Sequence, residues 1–241
     1  IHIFAIMKMH RINLLIISIL SVFWAHAQES TRYALNINEF NELKVVNSIN
    51  VDYRCNPDSA GMAVFETTPD RASMLIFSNP KGTLEIQTAD GASAAGKLPT
   101  VTVYSSFLNK VENSGDSMVR VLTVAPCSQF TANVIGNGHL VVRNIKSTRV
   151  NGAIKTGNGL LILSGKCDDA RYTFYGTGVI QADELEAAEA TVKASGTGSI
   201  GVWAVNKLSV YGLGSSKIYY RGKPEIKKSS VGIKIEPLME K

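Results

Sequence analysis

The residues able to carry proton transfer or metal chemistry are few, and they are scattered. The acids of the second half are Asp116, Asp168, Asp169, Asp183, Glu184, Glu186 and Glu189. Glycoside cleavage needs two carboxyl groups flanking one bond, and any acid–base step needs its group within hydrogen-bond reach of the target. Here Asp168-Asp169 and Asp183-Glu184 approach only across a turn of chain, so a solvated connection is the simpler reading. Asp168-Asp169 is also where hard oxygen ligands for Ca²⁺ would first be sought. His139 is the only histidine after residue 27. With no second imidazole and no C-x-x-C pair, neither a catalytic triad nor a His/Cys zinc site has its parts. No catalytic residue, metal or cofactor is expected.

The aromatic residues suit recognition better than catalysis. Tyr175 and Tyr211 each precede the first glycine of a Gly-x-Gly, and Trp203 and Tyr219 follow such turns. Exposed rings on a rigid surface stack on the apolar faces of sugars or anchor a protein partner. The alternative is ordinary surface tyrosine together with cover for a chain end.

The elements that must position these residues come from an internal repeat. Ser114-Gly115-Asp116 is followed by glycine pairs at Gly136/Gly138, Gly157/Gly159, Gly176/Gly178, Gly196/Gly198 and Gly212/Gly214, all read as structural turns. The steps between first glycines are 21, 21, 19, 20 and 16 residues, and taking Gly214 as the equivalent residue makes the last 18. A glycine corner repeated at this interval permits positive φ or a tight bend once per coil. Apolar and polar residues alternate on both sides of the corners, as at Tyr172, Phe174, Ile180 and Ala182, which is the period of half-buried strands. In register, the coils form columns: Leu140, Leu161, Ile180, Ile200 and, two residues on, Val142, Leu163, Ala182, Val202. A coil of about 20 residues cannot bury its apolar face alone and must lend it to its neighbours, so the expected fold is an all-β solenoid, or β-helix. Asp183–Ala190, the one Ala/Glu-rich stretch, falls on a strand-to-strand connection in this register.

The same register places Tyr175 and Tyr211 in one column, two coils apart, if Gly212 is the corner. It also places Cys127 and Cys167 in one column two coils apart. Rows are ~4.8 Å apart, so those sulfurs stand beyond disulfide reach and both thiols are expected to be free. Dinucleotide and phosphate loops are excluded because no helix follows any Gly-x-Gly.

The first half carries strands without the glycine rhythm: Leu43–Val51, Met62–Thr67, Met74–Phe77, Thr83–Thr88 and Pro99–Tyr104, with turn residues between them. Residues 28–107 are therefore expected to cap the coils of residues 108–241, the two being continuous in one elongated domain. Residues 89–97 read as a surface loop. Pro224, Lys227, Lys228 and Lys234 suit a final edge that resists pairing.

Before the cap, Lys8, His10 and Arg11 precede an apolar run, Ile12 to Trp24, ending in Ala25-His26-Ala27. This is the pattern of a secretory signal peptide cleaved before Gln28, and the run is short for a bilayer span. Residues 1–6 precede Met7 and are expected to be untranslated. No cysteine follows the cleavage triplet, which leaves periplasm, outer cell surface or exterior, with no membrane insertion after cleavage. The segment holds two cations and no acid, so its removal takes the formal charge from +5 to +3. A surplus that small, without a basic run, disfavours nucleic acid.

Several segments together resemble the head GIN domain family of auto-transporter adhesins. They are Phe40-Asn41-Glu42-Leu43-Lys44-Val45, Leu108-Asn109-Lys110-Val111-Glu112-Asn113-Ser114-Gly115, the Ser195-Gly196-Thr197-Gly198 turn and Ile218-Tyr219-Tyr220-Arg221-Gly222-Lys223-Pro224. The resemblance spans about residues 40 to 235 and implies a β-helical, non-enzymatic protein of the bacterial surface or envelope. The expected role is binding of a glycan or a cell-surface protein through Tyr175, Trp203, Tyr211 and Tyr219. A carbohydrate-active enzyme on the same fold and a self-assembling envelope subunit, a homo-oligomer, are the alternatives.

Overall fold

The computed structural model of the chain describes residues 29–92 and 96–238. The signal-peptide segment lies outside these residues, as does part of the 89–97 loop. The repeat produces the expected solenoid of parallel strands. Its regular body is β10 (Cys127–Ile135), β11 (His139–Thr156), β12 (Leu160–Phe174), β13 (Val179–Ala194) and β14 (Ser199–Leu213), closed by β15 (Lys217–Arg221), β16 (Glu225–Val231) and β17 (Lys234–Pro237). Each long strand leaves a glycine corner, bends once, and returns to the next corner, so it has an outgoing and an incoming half. The bends coincide with register shifts, between Val142 and Ile145 in β11 and between Ile162 and Ser164 in β12. Asn144 at φ 58° and Gly165 at φ 132° turn the chain there. Asp183–Ala190 lies within strand β13 at its own shift, not in a separate connection.

The columns read from the sequence are the core. Val51, Val119, Leu140, Leu161, Ile180, Ile200 and Ile218 pair in succession and are all fully buried. On the incoming side the inner column runs Val111, Ala132, Gly152, Tyr172, Val192, Val210. Glycine at 152 makes room for the adjoining tyrosine: a Cβ there would sit 3.3 Å from Tyr172 Cδ1 and 3.0 Å from Leu163 Cδ1. Burying each such aliphatic side chain contributes about 1.5–3 kcal/mol, repeated along the axis.

The corner glycines serve close approach of backbones more than positive φ. Gly136 (φ 100°) and Gly157 (φ 75°) are left-handed. Gly138 departs from its reading as a turn residue: it is buried, it lies outside the left-handed region, and it stands next to the first residue of β11. A Cβ there would overlap the Gly115 carbonyl oxygen and lie 2.5 Å from Asn113 Nδ2, the amide that donates to the Ser117 and His139 carbonyls. Gly138 thus leaves room for a buried, hydrogen-bonded side chain and does not supply the bend, which falls at Gly136. Gly159 and Gly176 are buried as well: a Cβ at 159 would lie 2.5 Å from Val134 Cγ1, and one at 176 would overlap the Gly157 carbonyl oxygen. Gly178 and Gly198 are not left-handed either, and a Cβ on either would overlap the carbonyl oxygen of the glycine one coil below, Gly159 and Gly178 respectively. In the last coil the register selects Gly214, whose Cβ would meet the Gly196 carbonyl, while Gly212 pairs with Ala194 inside the ladder. Gly212 is therefore not the corner, and the shared column assigned to Tyr175 and Tyr211 does not exist.

Parallel pairing starts well before residue 108. β2 (Glu42–Val46) and β3 (Val51–Cys55) form one coil, β8 (Lys110–Ser114) and β9 (Met118–Val121) the next, and β6 (Thr83–Thr88) with β7 (Val101–Ser105) stacks on the far side of β2 and β3. Antiparallel pairing is confined to β1 (Thr31–Asn36), β4 (Met62–Thr67) and β5 (Leu75–Ser78) with their partners. The segment 43–51 is two strands, broken where Asn47 takes φ 67°. At the opposite end, β16 places Lys228 and Ser230 in inner columns where earlier coils carry Val210 and Gly212. Polar residues in core columns end the stack without inviting another strand.

Candidate binding face

The outer surface of the incoming halves is a ladder of mostly polar side chains, short ones interspersed with long. Asn133, Ala153, Thr173, Lys193, Tyr211 and Ser229 form one outward column. Thr131, Asn151, Arg171, Thr191, Ser209 and Lys227 form the column beside it. Both follow from strict alternation with the buried inner column: an outward residue stands between every two core residues. Where Asn151, Ala153, Thr173 and Thr191 meet, the surface dips into a groove of about 720 Å³, rimmed by the longer Lys155, Arg171, Tyr175 and Lys193.

Tyr175 and Tyr211 both border this region. Phe174 pairs with Ile154 and Ala194, so Tyr175 stands beside Lys155 and Ser195, one column away from Tyr211. The two rings nevertheless share a second hollow of about 270 Å³ with Lys193, Ser195 and Leu213, which joins the larger groove at Tyr175 and Lys193. Tyr175 is 57 % and Tyr211 43 % exposed. Trp203 and Tyr219 belong to the outgoing face and do not join them. Trp203 pairs with Arg221, whose guanidinium carbon lies 4.2 Å from the indole centroid, and Tyr219 stands half-buried beside Gly201.

Of the acids singled out in the second half, Asp169 and Glu186 are held in ion pairs. Asp169 accepts from Arg149 Nε at 2.8 Å and from Arg171 Nε at 2.9 Å. It lies within strand β12, not in a connecting loop. Lys166 reaches Glu186 at 2.9 Å, and Arg120 clasps Asp52 through two bonds of 2.7 Å. Among the described residues no cluster of three His, Cys, Asp or Glu is arranged for a metal ion. His139 is exposed, as its position before Leu140 implied.

The cysteine column is as read: Cys127 pairs with Ser147 and Ser147 with Cys167, and all three cysteines of the chain are free thiols. Burial pushes the Cys167 thiol up to about 12, with the Asp169 and Asp168 carboxylates adding to the shift. Burial likewise raises the Tyr172 phenol well above its ordinary value, with smaller contributions from Cys167 and Asp183.

Lys193 and the groove itself were not singled out by the sequence. A lysine in an alternating strand carries no mark of its own, and only the ladder sets it between Thr173 and Tyr211.

Solved structures share this architecture. A "putative adhesin" from Bacteroides fragilis superposes with a TM-score of 0.78 at 19 % identity, covering 88 % of this chain and 98 % of its own. A "putative lipid binding protein" from Parabacteroides distasonis gives 0.70 at 19 % identity, and a "putative adhesin" from the same organism 0.70 at 17 %, each over 88 % of this chain and 98 % of its own. Identities this low show the fold alone. A comparison with curated proteins finds no match. The family model described as "Putative auto-transporter adhesin, head GIN domain" matches residues 39–224, and the chain belongs to that family.

Proposed function

We propose that the chain is an exported, non-enzymatic binding module that holds a saccharide of a cell surface or matrix against the incoming face. The observation that carries this reading is the pairing of two exposed rings, Tyr175 and Tyr211, with a groove floored by Asn151, Ala153, Thr173 and Thr191. Aromatic faces stack on the C–H faces of sugars, and short amides and hydroxyls spaced one row apart exchange hydrogen bonds with sugar hydroxyls. The parallel ladder holds both sets at fixed spacing, which lowers the ordering cost of binding. The groove's described lining includes no carboxylate, so acid–base cleavage lacks its groups there.

Export is supported by the charged and apolar segment ending in Ala25-His26-Ala27 and by membership of an adhesin family. N-terminal sequencing of the protein recovered from cell fractions, starting at Gln28, is the expected result. For binding, a glycan array followed by titration calorimetry compares the wild type with Tyr175→Ala/Tyr211→Ala. Saturable binding lost in the variant, with the melting temperature unchanged, is expected; binding that survives in the variant sinks this placement of the site.

A second reading rests on a separate feature. Leu213 and Val231 pair in register, are 65 % and 70 % exposed, and extend an apolar strip past Tyr211. An acyl chain suits such a strip. Co-sedimentation with neutral phosphatidylcholine vesicles, lost on Leu213→Ser, would favour lipid over saccharide.

A further inference from the structure

The charge of the groove narrows the class of saccharide. Its rim carries one cation in each of three successive rows: Lys155 on β11, Arg171 on β12 and Lys193 on β13. Neighbouring acids offset only part of this. Glu112 lies 3.5 Å from Lys155 Nζ and also accepts from Asn133 Nδ2 at 3.4 Å. Asp169 is one carboxylate facing two guanidiniums, Arg149 and Arg171. Glu189, next in that column, stands in register with Lys207. Lys193 has no carboxylate partner among the described residues.

With Lys193 unpaired and Arg149 and Arg171 sharing the single Asp169 carboxylate, a positive surplus remains around Arg171 and Lys193; Arg171 lies across the Thr173–Lys193 column from Tyr175. Arg171 and Lys193 stand one row apart and two residues apart along the strands, a Cα separation of about 8 Å. Two cations spread over this distance suit a polymer that repeats its anion along the chain better than a single small anion. A planar guanidinium recognises a carboxylate bidentately, and an ammonium adds a point charge.

Resting on the reading of this face as a saccharide site, we infer that its ligand is an acidic polysaccharide bearing a carboxylate on successive sugar units. Arg171 and Lys193 are the specificity-determining contacts, and Tyr175 is the stacking wall.

The test uses one backbone in two charge states, oligogalacturonate and its fully methyl-esterified form, titrated into the purified protein. The acid form is expected to bind at least about tenfold tighter, a difference of about 1.4 kcal/mol. The preference should shrink as salt rises from about 50 to about 500 mM, as screening dictates. Lys193→Gln and Arg171→Gln should each remove most of the preference, lowering affinity for the acid form far more than for the ester. Tyr175→Ala should weaken both forms together. Equal binding of acid and ester overturns the inference and leaves the saccharide reading standing. A preference that persists in both cation variants also overturns it, because the charge is then read elsewhere. Absence of binding to both forms and to every array glycan overturns the two readings together.

Discussion

On the incoming face Tyr175 and Tyr211 stand among lysine, serine and threonine neighbours, with their rings open to solvent. On the outgoing face Trp203, the larger ring, lies under the Arg221 guanidinium at 4.2 Å. Both sets occupy outward positions of the same alternating strands, and by residue type the outgoing set is the stronger binder. What separates them is the next row of the ladder: a residue one coil away decides whether a ring is offered or covered. An aromatic in an outward column is thus a candidate contact only when no flanking side chain lies across its ring. Tyr175 and Tyr211 satisfy this at 57 % and 43 % exposure, beside the short Asn151, Ala153, Thr173 and Thr191; Trp203 does not.

The harshest way to break the comparison is to remove the corner that both faces share. Gly198→Ala drives a Cβ into the Gly178 carbonyl oxygen and to 2.5 Å from Phe174 Cζ. Backbone cannot swing aside as a side chain can, so the loss should reach the upper end of the ~1–3 kcal/mol of overpacking. At a few degrees per kcal/mol for a chain of this length, thermal denaturation should show a melting temperature lower by about 6–10 °C. A variant as stable as the wild type would mean that the coils are not stacked glycine on glycine. Next in size is the contrast between the faces themselves. Tyr175→Ala should weaken saccharide binding about tenfold or more with no change in melting temperature. Trp203→Ala should do the reverse, lowering stability while calorimetry returns the wild-type affinity. If Trp203→Ala costs affinity and Tyr175→Ala does not, the two faces have exchanged roles.

Much of this architecture is legible before any coordinates, because the interior is repetitive. Leu140, Leu161, Ile180 and Ile200 announce their column by spacing, and Cys127 and Cys167 follow from the same count. Legibility stops where spacing no longer determines which strands meet. The last coil holds glycines at 212 and 214, and only the backbone pairing of Gly212 with Ala194 selects the second. That two-residue difference is what moved Tyr211 out of the Tyr175 column. Within a corner, spacing likewise cannot tell the glycine that bends, Gly136, from the one that clears space for Asn113, Gly138. In the first half, β6 and β7 stack outside β2 and β3 although they follow them in sequence. Nothing local records that order, since a parallel neighbour is joined through a long connection whose destination is set by packing. The groove was hidden for the opposite reason: it is an absence of bulk, produced by four short side chains that are ordinary one at a time.

The interior between the two faces gives a third test. A thiol kept protonated by burial contributes stability that is fully present below its unfolded value of 9.0. That contribution is lost as pH rises through the folded value of about 12. Tyr53 and Tyr172 are raised as well, and add to the same decline from their ordinary value of 10.0 upward. Denaturant unfolding should therefore show stability falling from about pH 9. In Cys167→Ala the onset should move to about pH 10, a difference of roughly 1 kcal/mol at that pH. Alanine already occupies this column at Ala187 and Ala204, so the variant should fold. An unchanged alkaline limb would show that Cys167 ionises freely and that the bend between the faces is open to water.

The smallest effect is the most direct comment on the two faces. Arg221→Ala uncovers Trp203 without altering the ring or its strand. Loss of an exposed cation–π contact costs about 0.5–1 kcal/mol, within about two to four degrees of melting temperature, and the indole emission should shift to the red as water reaches it. If exposure of a ring were sufficient for recognition, this variant would acquire a second saccharide site. The expected calorimetric stoichiometry is instead unchanged, because Trp203 borders neither the Asn and Thr floor nor Lys193. A second binding event in Arg221→Ala, abolished again by adding Trp203→Ala, would show that the covering residue alone distinguishes the faces and that the floor of the groove contributes little.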